Sequence, residues 1–380
     1  NNGGDGYAAA SILYNDGFSV MIYSSTADKE INNDSLPFYN ECISLGVPTF
    51  FGIDLNNLNK PELIIDGLLG IGLKGVVRDN ILPLLNWVNE SNSKVLSIDV
   101  PSGLNSDTGT CNPISIKADI TLTFGAPKVG MHLRLGPEYC GQIIVEDIGF
   151  PSLDDIEFPG LEWKFNDQKI VQKHFHKPKN DVNKYSAGKV LIIAGSIGMT
   201  GAAILATHGA LRSGAGLAIT TSPYSLNNIY EQSIIEGITM PLNDNNTGTV
   251  GYLHYDKIME KVEWADSVLL GPGLGRGAST QRLIKKLVIS IDKPLVLDAD
   301  GLFPFSGNIE YLSKRKYPLI ITPHFGELAR LIGVKKELII SKFPNFMNKL
   351  METYDHVCLV KQVPSCILKG KDIRINSTGN

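Results

Sequence analysis

The sequence predicts two α/β domains in tandem, each a parallel sheet covered on both faces by helices. Three observations lead to this. Short runs rich in Val, Ile and Leu recur along the chain, separated by amphipathic stretches, the pattern of buried parallel strands alternating with helices. The series pauses once, between about residues 150 and 185, in Pro- and charge-rich sequence with little periodicity. And 380 residues are more than one hydrophobic core usually organises.

The first series opens on "NNGGDGYAAA", Asn1 to Ala10. This polar, Gly-rich stretch runs straight into an Ala-rich one. It reads as a loop delivering a helix N-terminus, where backbone N–H groups can hold an anion; a frayed Gly-rich start is the plainer alternative. Strands are expected at "FSVMIYSS" (Phe18–Ser25), "ELIIDGLLG" (Glu62–Gly70), "KVLSIDVPSG" (Lys94–Gly103), "ADITLTFG" (Ala118–Gly125) and "GQIIVEDIG" (Gly141–Gly149), with a helix at "NILPLLNWVNE". The second series runs through "GKVLIIAGS" (Gly188–Ser196), "DSVLLGPGLG" (Asp266–Gly275), "KPLVLDADGL" (Lys293–Leu302), "YPLIITPHFGEL" (Tyr317–Leu328), "HVCLVKQ" (His356–Gln362) and "SCILKG", with a helix at "GAAILATHGALRSGA". "NDNNTG" (Asn243–Gly248) reads as a surface loop. The domains are placed at 1–160 and 161–380.

Composition removes several classes of function. Net charge is −4, without the basic excess of a nucleic-acid binder. No apolar run approaches the ~20 residues of a membrane helix. The five cysteines are scattered, odd in number and form no CxxC pair, which argues against zinc and a disulfide framework and for a reducing, cytoplasmic setting. The chain begins without Met, so a targeting segment can lie upstream of it.

Open α/β sheets bind ligands at the carboxyl ends of their strands. In the first domain the opening loop and the exits "IIDGLLGIGLKG" and "IDVPSG" each pair a Gly-rich turn with one carboxylate: Asp5, Asp66 and Asp99. Asp66 and Asp99 end separate strands and can converge with Asn2 and Ser102. An oxygen-only set suits a hard cation, and sequence does not separate Mg²⁺, Ca²⁺ and K⁺. Each aspartate can equally cap its own turn. "GIGLKG" alone is a weak signal. In the second domain the exits read "GPGLG", "LDADGL" and "TPHFGE". "GPGLG" lets backbone amides approach a ligand. Helix capping is the favoured use of Asp298 and Asp300, and of Glu327 three residues after His324. Small residues along "GSIGMTGAAILATHGALRSGAG" are read mainly as packing. Arg212 is read as a surface or subunit-contact residue rather than a catalyst, and the other histidines show no ligand spacing.

Together these motifs resemble a known family. "NNGGDG", "IIDGLLGIGLKG", "IDVPSGLNSDTG" and "TFGAPKVG" resemble NAD(P)HX epimerase domains. "GKVLIIAGSIGMTGAA", "LRSGAG", "GPGLG", "LDADGL" and "TPHFGEL" resemble NAD(P)HX dehydratases. Their tandem order is that of the bifunctional NAD(P)H-hydrate repair enzymes, and the resemblance spans nearly the whole chain. It implies a Rossmann-like epimerase domain followed by a ribokinase-like α/β dehydratase domain. The first interconverts the R and S epimers of the hydrated cofactor; the second dehydrates the S epimer with cleavage of ADP or ATP. By motif, Asn1, Asn2, Gly3, Gly4 and Asp5, then Gly70, Ile71, Gly72, Leu73, Lys74, Gly75 and Val76, and Asp99, match the hydrate-binding positions of the epimerase. Asn2, Asp66 and Ser102 match its potassium ligands. Asp66, Lys74 and Asp99 are the catalytic candidates, Lys74 with an aspartate for proton transfer. In the dehydratase, Ala202, Gly273 and His324 match substrate contacts, and Lys361, Gln362, Val363, Pro364 and Ser365 match the nucleotide-binding stretch, with Mg²⁺ accompanying the nucleotide. Homo-oligomeric assembly is expected.

The sequence departs from the family pattern at "VKQVPSC", where Gln362 replaces a glycine and Pro364 intrudes. The family's Gly-rich anion hole and its aspartate are expected beyond "NSTGN", and a further helix before Asn1. One rival reading is a ribokinase-class kinase of a vitamin or sugar with an accessory binding domain; the other is a non-enzymatic binding module. The first-domain motifs argue against both.

Overall fold

The computed structural model describes residues 2–25, 31–52, 60–151, 162–166, 168–174 and 181–378. The chain divides into two compact units, 1–157 and 158–380.

The first unit runs α1 (Asn2–Asn15), β1 (Ile22–Ser24), α2 (Leu36–Leu45), β2 (Thr49–Phe51), β3 (Leu63–Asp66), α3 (Leu82–Glu90), β4 (Lys94–Ile98), β5 (Ile120–Phe124), α4 (Gly136–Cys140) and β6 (Gln142–Glu146). Strands β3, β4, β5 and β6 form an all-parallel sheet in that order, and β1 pairs with β2 in a separate parallel ribbon. Helix α3 seats Leu85 and Val88 against Val95 of β4, with Val77, Ile81 and Ile116 closing the cluster. Truncating a side chain as enclosed as Leu85 would cost ~2–5 kcal/mol.

Two expectations need correcting here. The strand at Phe18–Ser25 shrinks to β1, because Phe18 and Met21 are exposed. The opening "loop" is helical from Asn2 onward. A Cβ on Gly4 would stand 3.6 Å from the Ser35 backbone and one on Gly6 3.9 Å from Gly67, ordinary van der Waals distances, so close packing does not by itself demand glycine there. Tyr7 fixes the helix by an edge contact with Tyr39 and a hydrogen bond to Ser24.

The second unit contains β7 (Glu162–Phe165), α5 (Gln168–His174), β8 (Lys189–Ile193), α6 (Thr200–Arg212), β9 (Leu217–Pro223), α7 (Asn227–Ser233), β10 (Ile238–Leu242), α8 (Tyr255–Trp264), β11 (Ser267–Leu270), α9 (Ala278–Ser290) and β12 (Leu295–Leu297). It continues with α10 (Glu310–Ser313), β13 (Leu319–Ile321), α11 (Phe325–Ile332), α12 (Lys336–Ser341), α13 (Phe343–Thr353), β14 (Val357–Val360), β15 (Ser365–Lys369) and β16 (Asp372–Asn376). Its ten-stranded sheet has the order β10-β9-β8-β11-β12-β13-β14-β15-β16-β7. The sheet is parallel from β10 to β14. It then turns antiparallel at β15 and β16, so the expected parallel sheet is in fact mixed. Only residues 361–364 join β14 to β15, whereas a parallel return needs a dozen or more.

In α6, Ala203 packs on Ile192, Ala194 and Tyr230, as the small-residue reading expects. Gly201 and Gly209 face open space instead. The "NDNNTG" segment is a turn anchored by Asp244, which is 3% exposed and accepts from Ser225 and Gly248. Among the described residues no helix is long and apolar enough to cross a membrane.

Candidate functional site

The parallel register places Asp66 at the end of β3 beside Ser97 of β4. The turn after β4 then brings Ser102 over it. Asp66 is 2% exposed. Its carboxylate accepts from Ser102 N (2.8 Å), Ser102 Oγ (2.5 Å), Ser97 Oγ (2.8 Å) and Leu68 N (3.3 Å). Ser102 Oγ also receives Leu69 N at 2.8 Å. All four groups that donate to Asp66 are neutral. Burial pushes the carboxyl up, and these hydrogen bonds pull against it. A buried carboxylate beside a serine hydroxyl, with oxygen as the only donor element, suits a hard cation and does not by itself separate Mg²⁺, Ca²⁺ and K⁺. Of the other matched positions, Asn2 lies in the first turn of α1 and Asn1 is outside the described residues.

Asp99 follows β4 directly and has φ +65, a conformation sparsely used by non-glycine residues. The register of β4 with β5 sets it beside Thr123 and Phe124. Lys128 Nζ forms a short ion pair with Asp99 Oδ1 and also donates to Thr123 Oγ1 (2.7 Å) and Phe124 O (3.2 Å). Thr123 Oγ1 reaches the same Asp99 oxygen at 3.1 Å. Among the described residues, Lys128, Thr123 and Phe124 all donate to Oδ1 of Asp99 rather than Oδ2. Asp5, in the first turn of α1, feels the same charge: burial raises its carboxyl and Asp99 adds to the shift. Lys74 stands exposed in the turn 70–76, together with Ile71 and Val76, while Leu73 packs inward. Lys128 was missed as a site residue; its signal is the quoted "TFGAPKVG", which holds it four residues after the strand end.

In the second unit three neighbouring strands, β12, β13 and β14, end side by side. Their exits deliver Asp298, His324 and Lys361. Lys361 N donates to Pro323 O at 2.9 Å, and Lys361 Nζ donates to Asp298 Oδ1 at 2.6 Å, with Glu327 Oε2 4.0 Å away. His324 is the N-cap of α11. Its Nδ1 accepts from Gly326 N and Glu327 N, and Glu327 Oε2 accepts from His324 N, a reciprocal capping box. The tautomer that accepts at Nδ1 carries its proton on Nε2, which stands 3.5 Å from Glu327 Oε1.

Asp298 and Asp300 depart from the capping use favoured by sequence. The Asp298 side chain makes no cap bond to the turn that follows, and Asp300 accepts instead from Gly275 N and Arg276 Nε. Gly273 has φ +65, and a Cβ there would meet Met199 and Ala202 at 2.9 and 3.0 Å, so Gly273 and Ala202 are brought together. Ser196 Oγ ties down the same turn through Gly273 O (2.7 Å). Residues 361–364 form the β14–β15 hairpin turn, with Val363 exposed at its tip and Ser365 opening β15. Gln362 turns back onto Cys366. Pro364, which looked like an intrusion, sits where this tight turn needs no ladder N–H.

Comparison with known proteins places these features. Residues 1–130 match the family model described as YjeF-related protein N-terminus, and residues 190–380 match the one described as NAD(P)H-hydrate dehydratase. The bifunctional NAD(P)H-hydrate repair enzyme of Salinibacter ruber is 35% identical over 97% of this chain and 71% of its own length. That of Dictyoglomus turgidum is 34% identical over 95% and 70%. Among solved structures, the ADP/ATP-dependent NAD(P)H-hydrate dehydratase of Bacillus subtilis, co-crystallised with ATP and Mg²⁺, is 26% identical over 57% of this chain and 73% of its own, with a TM-score of 0.46. By its two matched domains, in this order and over this share of its relatives, the chain belongs to the family of bifunctional NAD(P)H-hydrate repair enzymes.

Proposed function

We propose that the chain repairs hydrated nicotinamide cofactors at two sites: 1–157 epimerises R- and S-NAD(P)HX, and 158–380 dehydrates the S epimer with cleavage of ADP or ATP. The observation that carries the first half is the carboxylate pair at the ends of β3 and β4. One member, Asp66, is buried among neutral donors, and the other, Asp99, is held by a cation through Oδ1.

Inverting a hydroxyl-bearing carbon requires a bond at that carbon to break and re-form on the opposite face. The protein must therefore hold the ring and move a proton. Asp99 Oδ2 is the group we assign to accept that proton, with Lys128 holding the carboxylate in place through Oδ1. Lys74, on the exposed turn 70–76, is the second proton-transfer candidate, and the α1 N-terminal turn with Asp5 lines the hydrate. Asp66 and Ser102, with Asn2, would hold potassium, which when bound supplies positive charge for a substrate oxygen.

In the second unit, Ala202, Gly273 and His324 would meet the hydrate. Lys361 and the turn to Ser365 would hold the nucleotide's phosphates. Glu327 offers a carboxylate oxygen beside Lys361, a chemistry suited to Mg²⁺ arriving with the phosphates. Phosphorylation of the hydroxyl would turn it into a good leaving group, which is why a kinase-like fold suits a dehydration.

The test supplies purified R- and S-NADHX separately, with ADP or ATP, and follows the return of reduced-nicotinamide absorbance. S-NADHX should respond to the dehydratase alone, and R-NADHX should additionally depend on the first unit. Phosphorylation of a sugar or vitamin, with both hydrates left untouched, would establish the kinase reading instead.

A further inference from the structure

The two aspartates of "LDADGL" point to different neighbours. Asp298 Oδ1 receives Lys361 Nζ at 2.6 Å from the hairpin after β14. Asp300, 8% exposed, faces the turn after β11: its Oδ2 accepts from Gly275 N at 3.0 Å and its Oδ1 from Arg276 Nε at 2.9 Å. Arg276 in turn lies over the Phe303 ring, 4.7 Å from its centroid. Residues two apart on an extended strand project to the same side. Here the residue between them, Ala299, has φ +52. That left-handed step breaks the alternation and sends the carboxylates apart. Alanine gains nothing for itself in this conformation, so the geometry is maintained by what its neighbours hold.

We infer that Asp298 and Asp300 are positioning residues for two different ligands of the second unit. Asp298 sets Lys361 for the nucleotide's phosphates, and Asp300 sets the 271–275 turn, and with it Gly273, for the hydrated nicotinamide. One strand exit thus organises both subsites through a single strained residue. This rests on the proposed assignment of Lys361 to the nucleotide and Gly273 to the hydrate. Neither aspartate needs to touch a ligand. Each acts through a charge-assisted hydrogen bond to a group that does, or to the turn that carries it.

The experiment measures binding by calorimetry on the full chain, with ADP alone and with S-NADHX alone, so that turnover is not needed. Asp298→Asn should weaken ADP ~10-fold or more, as expected when a hydrogen bond to a charged group is lost, while S-NADHX binding stays within about twofold. Asp300→Asn should do the reverse. Asparagine preserves volume at both positions. Should Asp300→Asn fail to fold, Arg276→Met removes one of its two partners and should weaken S-NADHX alone. Equal loss of both ligands in both variants overturns the inference, as does wild-type ADP affinity in Asp298→Asn when Lys361→Met has lost it. Unchanged ADP affinity in Lys361→Met would instead refute the nucleotide assignment itself, and the inference with it.

Discussion

Replacing Lys128 by Met tests the first site most directly. The ammonium has three acceptors, Asp99 Oδ1, Thr123 Oγ1 and Phe124 O, so all three of its N–H groups are used. The ion pair is enclosed, with the Lys128 and Asp99 side chains 20% and 12% exposed. Methionine keeps much of the stem but strands a carboxylate. Breaking a buried pair from one side costs ~3–5 kcal/mol, and residual solvent access puts this case near the lower end. A unit with the usual ~5–15 kcal/mol of stability remains folded at low temperature. Activity should suffer more. Freed from Oδ1, the Asp99 carboxylate can rotate, and a misplacement of ~1 Å can cost ~10²-fold in rate. Lys128→Arg, which keeps the charge and can still donate to Asp99, should lose less than Lys128→Met, a rescue that a merely structural role would not show. The assay feeds R-NADHX to each variant with an excess of separate dehydratase and follows absorbance. If Lys128→Met epimerises at the wild-type rate, Asp99 is not the base that Lys128 holds.

Three further outcomes follow from the geometry. Asp66→Ala should abolish epimerisation and any stabilisation by KCl over choline chloride, while ADP binding in 158–380 stays intact; a calorimetric ADP titration and a melting curve check both halves. Potassium should also stabilise the wild type in a pH-dependent way. Burial raises the Asp66 carboxyl in the folded state, so its contribution favours the fold at low pH and is lost as pH rises through the folded value, and a cation that pairs with the ionised form should give a Tm gain that grows from pH 4 to pH 8. A gain that is flat across that range would separate the ion from Asp66. His324→Ala should weaken S-NADHX while sparing ADP, and should lower stability by ~1 kcal/mol for the lost cap; His324→Asn should restore the cap and the Tm but not the hydrate affinity.

The sequence shows these sites unevenly, for physical reasons. Strand exits were legible because buried parallel strands leave an unmistakable apolar run that stops at a Gly or Asp, as in "LIIDG" and "LVLDADG". The Asp66–Ser102 contact follows from two such exits lying on adjacent strands. The helical state of Gly3, Gly4 and Gly6 was not legible, since local propensity argues against it and the contacts that hold the helix, Tyr7 on Tyr39 and Ser24, lie far along the chain. The same holds for Lys128. Nothing near it in sequence says that it reaches back to Asp99. The antiparallel turn at β15 was readable from connection length, but the pattern of apolar residues is the same for either direction. Asp298 and Asp300 looked like caps because Asp commonly is one; their partners arrive from other strands.

The backbone marks the two sites independently of any motif. Among the described residues, six non-glycine residues have positive φ: Asn92, Asp99, Arg134, Asn245, Asn246 and Ala299. Three are asparagines, which tolerate that region through local hydrogen bonds. Of the rest, Asp99 and Ala299 each stand just past the end of a central strand, one in each unit. Such strain persists only where the surroundings over-determine it. Around Asp99 the constraint is Lys128, Thr123 and the Asp99 N–H on Leu122 O at 2.7 Å. Around Ala299 it is the two carboxylates, pulled to Lys361 on one side and to Gly275 and Arg276 on the other. In both units a strand that could have ended in an ordinary turn ends instead in a twist that aims a carboxylate. A turn whose only task was to connect would have no reason to keep that twist, because glycine would remove the strain at either position.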